Sequence, residues 1–196
     1  MSEILENYTE FGKIKDIYDT FHDRQGLIEF LNNVVMNNDM FDENNSNGYG
    51  NMLKDLSDIY VLVSNKDFPF DKIPSKNIKL KLENNTKNYV LGYIWLCSWT
   101  VKYSDCIPYH FIGNIDSRIS GLNIAKYMIN NYEFHDEEKG EVVLLPFEID
   151  YSASNYWKKY LKDKYKVNNK TELKNMINNF KLKSGDIRWD KLILEY

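Results

Sequence analysis

The stretch 116-DSRISGLNIAKYMI-129 puts a polar, turn-prone run directly in front of a helical pattern. A polar run from Asp116 to Ser120 leads into Gly121, and Leu122, Ala125, Met128 and Ile129 then recur at the spacing of a helix with one apolar face. Gly121 has no Cβ, so a ligand can approach the backbone closely there. The first N–H groups of a helix lack partners within it, and together with the helix dipole they attract a phosphate. Arg118 stands three residues before Gly121 and adds a side chain suited to a charge-assisted bond to a phosphate oxygen. The same residues also suit a plain helix start, with Asp116, Ser117 or Ser120 as cap and Arg118 in solvent. Spacing alone leaves both readings open.

The flanking sequence gives the stretch a setting. Before it, 108-PYHFIGNI-115 reads as a strand; after it and an acidic loop, 142-VVLLPFEI-149 reads as a short buried strand. The helical patterns 152-SASNYWKKYLKDKY-165 and 171-TELKNMINNFKL-182 follow, and 189-WDKLILEY-196 has strand character. Upstream, 58-DIYVLVSN-65 and 88-NYVLGYIWLCSWTVKYS-104 are rich in β-branched and aromatic residues. In 77-NIKLKLENN-85, apolar residues alternate with lysines, as in a strand with one wet face. The spacing predicts helix over 14–38, as two helices broken at Gly26 or one kinked there, and helix over residues 120 to 132; 39-DMFDENNSNGYGNM-52 reads as a loop. The order of elements implies an α/β or α+β chain with a mixed sheet, and the 196 residues suit one domain spanning 1–196.

Composition narrows the function classes. The chain is 43% hydrophobic and 28% charged with a net charge of -4, so it lacks the basic field that a nucleic-acid partner requires. No apolar stretch reaches the ~18 residues that cross a bilayer, and the N-terminus is no secretory signal, so no membrane partner and a cytoplasmic location are expected. Cys97 and Cys106 lack the spacing of a zinc site and read as free thiols; no metal is expected.

The residues around the loop resemble a known signature. In 108-PYHFIGNIDSRISGLNIAKYMI-129 a strand is followed by Arg118, Ile119, Ser120, Gly121, Leu122 and Asn123, which is similar to the (Q/R)xxGx(G/A) acetyl-CoA motif of the GNAT superfamily of N-acetyltransferases. Asn123 departs from the small residue usual in the last place. Asn accepts a left-handed backbone better than most residues, so the exchange is damaging only if side-chain volume matters there. The hydrophobic pair before Gly92 looks like the preceding long strand of that family. The segment from Asp150, 150-DYSASNYWKKYL-161, is similar to its NxxAxxhYxxxG pattern at Ala153 and Tyr156, with Asp150, Trp157 and Leu161 departing from it. The resemblance covers residues 89 to 161.

This resemblance implies a single-domain GNAT-like fold: a mixed, mostly antiparallel sheet with splayed middle strands, flanked by helices. It implies acetyl-CoA as co-substrate, with the pantetheine arm on the backbone of Phe111, Ile112 and Gly113. The pyrophosphate would lie on the amides of Arg118, Ile119, Ser120, Gly121, Leu122 and Asn123, with Asn155 as a further cofactor contact. The implied reaction moves an acetyl group to the amine of a small molecule or of a peptide or protein, by direct attack in a ternary complex. Glu148 closes an apolar strand, where burial disfavours its ionisation, and is the candidate base; a salt-bridged structural Glu is the other reading. His110, on an apolar strand, reads chiefly as a core residue and Asp116 as a cap. The family often uses a Tyr where this chain has Trp157, so Tyr156 and Tyr160 are the candidate acids, although these rings also read as core aromatics. Trp95, Trp99 and Tyr103 suit either an aromatic substrate wall or the faces of the sheet. Two other outcomes are compatible with the sequence: a catalytically impaired CoA-binding or interaction module, and a different acyl or aminoacyl transferase on the same scaffold. The acceptor and the oligomeric state are left open.

Overall fold

Short apolar runs form most of the sheet. In the computed structural model, which describes residues 2–14, 16–17, 59–79, 89–96, 109–135, 143–146, 149, 153–179 and 189, helix α1 (Ser2–Tyr8) runs directly into strand β1 (Thr9–Lys13). Strands β2 (Ile59–Ser64), β3 (Val90–Leu96) and β4 (Tyr109–Ser117) precede helix α2 (Ile124–His135) and strand β5 (Val143–Pro146). Helices α3 (Ser154–Tyr165) and α4 (Lys170–Asn179) follow. The architecture is mixed helix and sheet, and the strands neighbour one another in chain order in an open, mostly antiparallel sheet. The described chain falls into two compact units, Met1–Trp95 with Asn114–His135, and Leu96–Gly113 with Asp136–Tyr196.

In the first unit β2 is buried at every residue, because β1 and β3 pair with it on either side and both its faces are covered. Its register with β3 slips between Leu62 and Val63, a β-bulge that adds one residue to β3. Tyr60 packs edge-on against Tyr132 of α2 with ring centroids 4.8 Å apart. Ile124, Met128, Ile129 and Tyr132 form the buried face of α2, matching the helical spacing in the sequence. Gly92 of β3 allows this helix its close approach: a Cβ there would stand 2.7 Å from the carbonyl oxygen of Asp116 and 2.8 Å from the Ile124 Cγ2. Between β2 and β3 lie two 3-10 turns, Phe70–Lys72 and Ser75–Asn77.

In the second unit β4 pairs with β5 in parallel, from Tyr109↔Val143 to Ile112↔Pro146. The described register ends at a residue without an N–H, while β4 runs on to Ser117. Trp189 is buried and its indole N–H donates to the Pro146 carbonyl at 2.8 Å. Trp157 and Leu161 are the buried positions at the centre of α3, and Leu173 and Met176 those of α4.

Three expectations need adjustment. Asp116 and Ser117 belong to β4, and the helix begins at Ile124 rather than at residue 120, so neither they nor Ser120 cap it. The alternating segment 77–85 begins with the end of a 3-10 turn and an isolated antiparallel bridge, Ile78↔Ile119; residues 80–85 lie outside the described residues. The strand β1 and the short α1 fall where periodicity gave no element. The expected strand character of 190–196 and most of the helix over 14–38 also lie outside the described residues.

Candidate functional site

The chain leaves β4 at Ser117 and reaches α2 at Ile124 through six residues whose backbone is fixed from two directions. The Arg118 N–H donates to the Leu91 carbonyl of β3 at 2.8 Å, and its guanidinium donates to the Val90 carbonyl at 3.3 Å. From the other side, the Arg118 carbonyl accepts the Lys79 N–H at 2.8 Å and the Ser120 N–H donates to the Asn77 carbonyl at 2.8 Å. Ile119, between them, is fully buried.

Past this clasp the backbone turns left-handed twice, at Gly121 with φ 86° and at Asn123 with φ 55°. Gly suits the first, and Asn is among the few side chains that suit the second. Leu122 is buried between them and anchors the turn, while Gly121 and Asn123 are exposed. The Asn123 carbonyl accepts the Tyr127 N–H at 2.9 Å, the first bond of α2. Among the described residues no hydrogen bond is formed by the N–H groups of Gly121, Leu122 and Asn123. The first turn of α2 contains no acidic residue, so the positive end of the helix dipole is not neutralised there. A short anion can therefore be received by consecutive amides at this turn.

This narrows the sequence-derived set. Arg118 and Ser120 spend their amides inside the protein, and Arg118 directs one guanidinium nitrogen to a strand carbonyl. The amides left without a hydrogen bond among the described residues are those of Gly121, Leu122 and Asn123. Phe111 and Ile112 pair with Leu145 and Pro146 of β5, so of the three backbone positions expected to hold a pantetheine arm, Gly113 alone lies beyond the described register. Asn77 and Ile78, which hold the loop, were not legible, because their partners are about forty residues away and no local pattern marks the pairing. Gly92 is marked in the sequence by the resemblance alone.

The aromatic residues of α3 form a second group. Trp157 is buried, with Tyr156 and Tyr160 edge-on to it at 5.2 Å and 5.4 Å between ring centroids. It is a core aromatic. Burial pushes the Tyr156 phenol up to about 12. The Tyr160 phenol is pushed up further, first by burial and next by the Tyr165 hydroxyl beside it, and its O–H donates to the Leu144 carbonyl of β5 at 3.1 Å. Asn155 is exposed in the first turn of α3, where Ala153 offers no side-chain cap. Glu148, the candidate base, lies outside the described residues, as do Trp99 and Tyr103. Trp95 is half-buried on β3, and Asp116 is half-buried near the end of β4. His110 pairs with Leu144 through its backbone.

Among the described residues no group of three His, Cys, Asp or Glu side chains is arranged to hold a metal, and no helix is long and apolar enough to cross a membrane. No protein-family model, no curated protein and no solved structure matches the chain.

Proposed function

We propose that the chain is a GNAT-like N-acetyltransferase that takes acetyl-CoA as co-substrate and acylates a primary amine of a small molecule, peptide or protein. The observation that carries this reading is the left-handed turn from Gly121 to Asn123, whose three N–H groups have no acceptor among the described residues and which opens α2 without an acidic side chain. In this reading those amides bind the pyrophosphate. The sheet is mixed, with β4 and β5 paired in parallel and the other described registers antiparallel, which agrees with the coarse sheet type that this reading implies.

The chemistry follows from the groups available. The amine nitrogen attacks the thioester carbonyl carbon, the C–N bond forms, the C–S bond breaks, and CoA leaves as a thiolate. Glu148 accepts one proton of the incoming ammonium in this reading, the second is shed from nitrogen as the amide forms and neutralises the departing thiolate, and replacing Glu148 with Gln is expected to lower kcat by about 10²- to 10⁴-fold. Tyr156, pushed up to about 12, holds its proton more tightly than a thiol, whose ordinary value is near ~8.5. It therefore suits a hydrogen bond to the departing thiolate better than full proton transfer. Tyr160 already uses its hydroxyl on the Leu144 carbonyl, so its contribution is to hold α3 against β5.

That last observation favours one second reading, a CoA-binding module with impaired catalysis. Isothermal titration with acetyl-CoA decides whether either holds: absence of binding at high micromolar concentration removes both. If binding is seen, release of free thiol in the presence of an amine panel identifies the enzyme, and its absence identifies the module.

A further inference from the structure

The turn that starts α2 is held by a segment that belongs to neither β4 nor α2. We propose that Ser75–Lys79 is a strap that positions the amides of Gly121, Leu122 and Asn123 for a bound anion without itself touching that anion; the inference rests on reading the turn as a CoA pyrophosphate site. Two backbone hydrogen bonds flank the Ile78↔Ile119 bridge, Lys79 N–H to the Arg118 carbonyl and Ser120 N–H to the Asn77 carbonyl, both 2.8 Å. The Ser120 hydroxyl adds a third contact to the same Asn77 carbonyl at 3.4 Å. The last of these bonds lands on the residue directly before Gly121, where the backbone turns left-handed. A Cβ added at Gly121 would stand 3.4 Å from the Asn77 Nδ2, so a side chain there would meet the strap.

The strap is stiff in itself. The Asn77 N–H closes on the Pro74 carbonyl at 2.8 Å and the Ile78 N–H on the Ser75 carbonyl at 3.1 Å, and Ile73, just before Pro74, is buried. Proline removes further freedom from the chain that enters this turn. On the opposite side of the bridge, Ile119 is fully buried. A ligand that meets amides already fixed in place does not lose affinity to ordering them, which is the general advantage of a preorganised site. The strap thus acts through the loop, as a positioning element.

The test isolates one hydrogen bond. Lys79→Pro deletes the N–H that reaches the Arg118 carbonyl, and Ile78, at φ -93° and ψ 110°, already has the extended backbone that a residue before proline requires. Lys79→Ala keeps the N–H and removes the same charge, so the two variants differ at the backbone alone. Relative to Lys79→Ala, Lys79→Pro is expected to speed amide exchange at Ser120 by about three- to tenfold and to weaken acetyl-CoA binding by a similar factor, the scale of one backbone hydrogen bond. Equal exchange at Ser120 in the two variants overturns the strap. Faster exchange with equal affinity overturns its positioning role. If Lys79→Pro fails to fold, exchange in the unaltered protein decides: Lys79 and Ser120 must share one protection factor, and unlike values refute the strap. If acetyl-CoA binds none of these proteins, the CoA reading fails, and the exchange comparison still decides whether the strap holds the loop.

Discussion

Among the described residues, two turns pass through a left-handed residue that is not glycine, Asn123 with φ 55° before α2 and Lys166 with φ 60° after α3, and they differ in where their backbone donors go. At Lys166 everything closes locally. Its N–H bonds to the carbonyls of Leu161 and Lys162, and the Val167 N–H reaches Leu161. The Asn168 N–H donates to the Glu172 carboxylate at 2.6 Å, and the Glu172 N–H donates to the Asn169 Oδ1 at 3.0 Å. These two bonds start α4 in the manner of a capping box, except that the carboxylate takes the N–H of Asn168, one residue before the capping Asn169. At Gly121 to Asn123 the amides close on no described acceptor, and the turn is held by Ile119, Leu122 and the strap. A left-handed non-glycine residue costs about 1–2 kcal/mol. At Lys166 local hydrogen bonds offset that cost; before α2 long-range contacts offset it, and the donors stay available to a ligand. Conformation alone is therefore a poor guide to a binding loop. What separates the two turns is the fate of their N–H groups.

The largest expected effect would break the contrast outright. Gly121→Val places a β-branched side chain at φ 86°, and acetyl-CoA affinity by titration should fall by on the order of a hundredfold, near the upper end of backbone strain at a functional turn. Unchanged affinity would show that this turn is no more of a ligand site than the one at Lys166. Gly92→Ala comes next, since its Cβ would meet the Asp116 carbonyl and Ile124 at distances no real Cβ keeps; overpacking of this kind costs about 1–3 kcal/mol. Thermal unfolding should register a loss of several degrees, and a neutral result would mean that α2 can back away from β3.

Smaller effects sharpen the comparison from the other turn. Lys166→Gly relieves the left-handed strain without touching a ligand site, and denaturant unfolding should show a gain of about 0.5–1 kcal/mol. Asn123→Gly should gain less, because Asn tolerates that region better. The weakest effect is on acid stability. In the folded chain the Glu172 carboxyl is held below its ordinary value, first by the Asn168 N–H. Its contribution is fully present above the unfolded value near ~4.3 and is lost as pH falls through the lower, folded one. Glu172→Gln should therefore be slightly less stable than the parent at neutral pH, and the gap should close in acid; a gap that persists in acid would argue that the cap does not depend on charge.

Elements that carry their own pattern were legible. The run Ile59–Ser64, the strands around Gly92 and Gly113, and the helices holding Met128, Trp157 and Leu173 announce themselves by apolar runs or by helical spacing. The strand Thr9–Lys13 did not, because an edge strand with a mostly half-exposed surface and a central Gly12 shows no alternation. The helix α2 starts four residues later than the pattern from residue 120 predicts, for a physical reason. Ser120 would otherwise be a good cap, but Asn77 engages its amide from far along the chain, and the helix begins only after the left-handed Asn123. At the candidate site the same rule holds. Gly121 and Asn123 could be picked out by residue type, while the loss of the Arg118 and Ser120 amides to Leu91 and Asn77 depended on contacts no local window contains.

The bond from the Trp189 indole to the Pro146 carbonyl also makes a built-in optical gauge. An indole sealed from water emits at shorter wavelength than one in solvent, so any event that frees Pro146 from Trp189 at the end of β5 shifts its emission to the red without a label. Replacing Trp95, Trp99 and Trp157 with Phe would leave Trp189 as the single indole of the four in the sequence, and spectra taken during a ligand titration would then follow the end of β5.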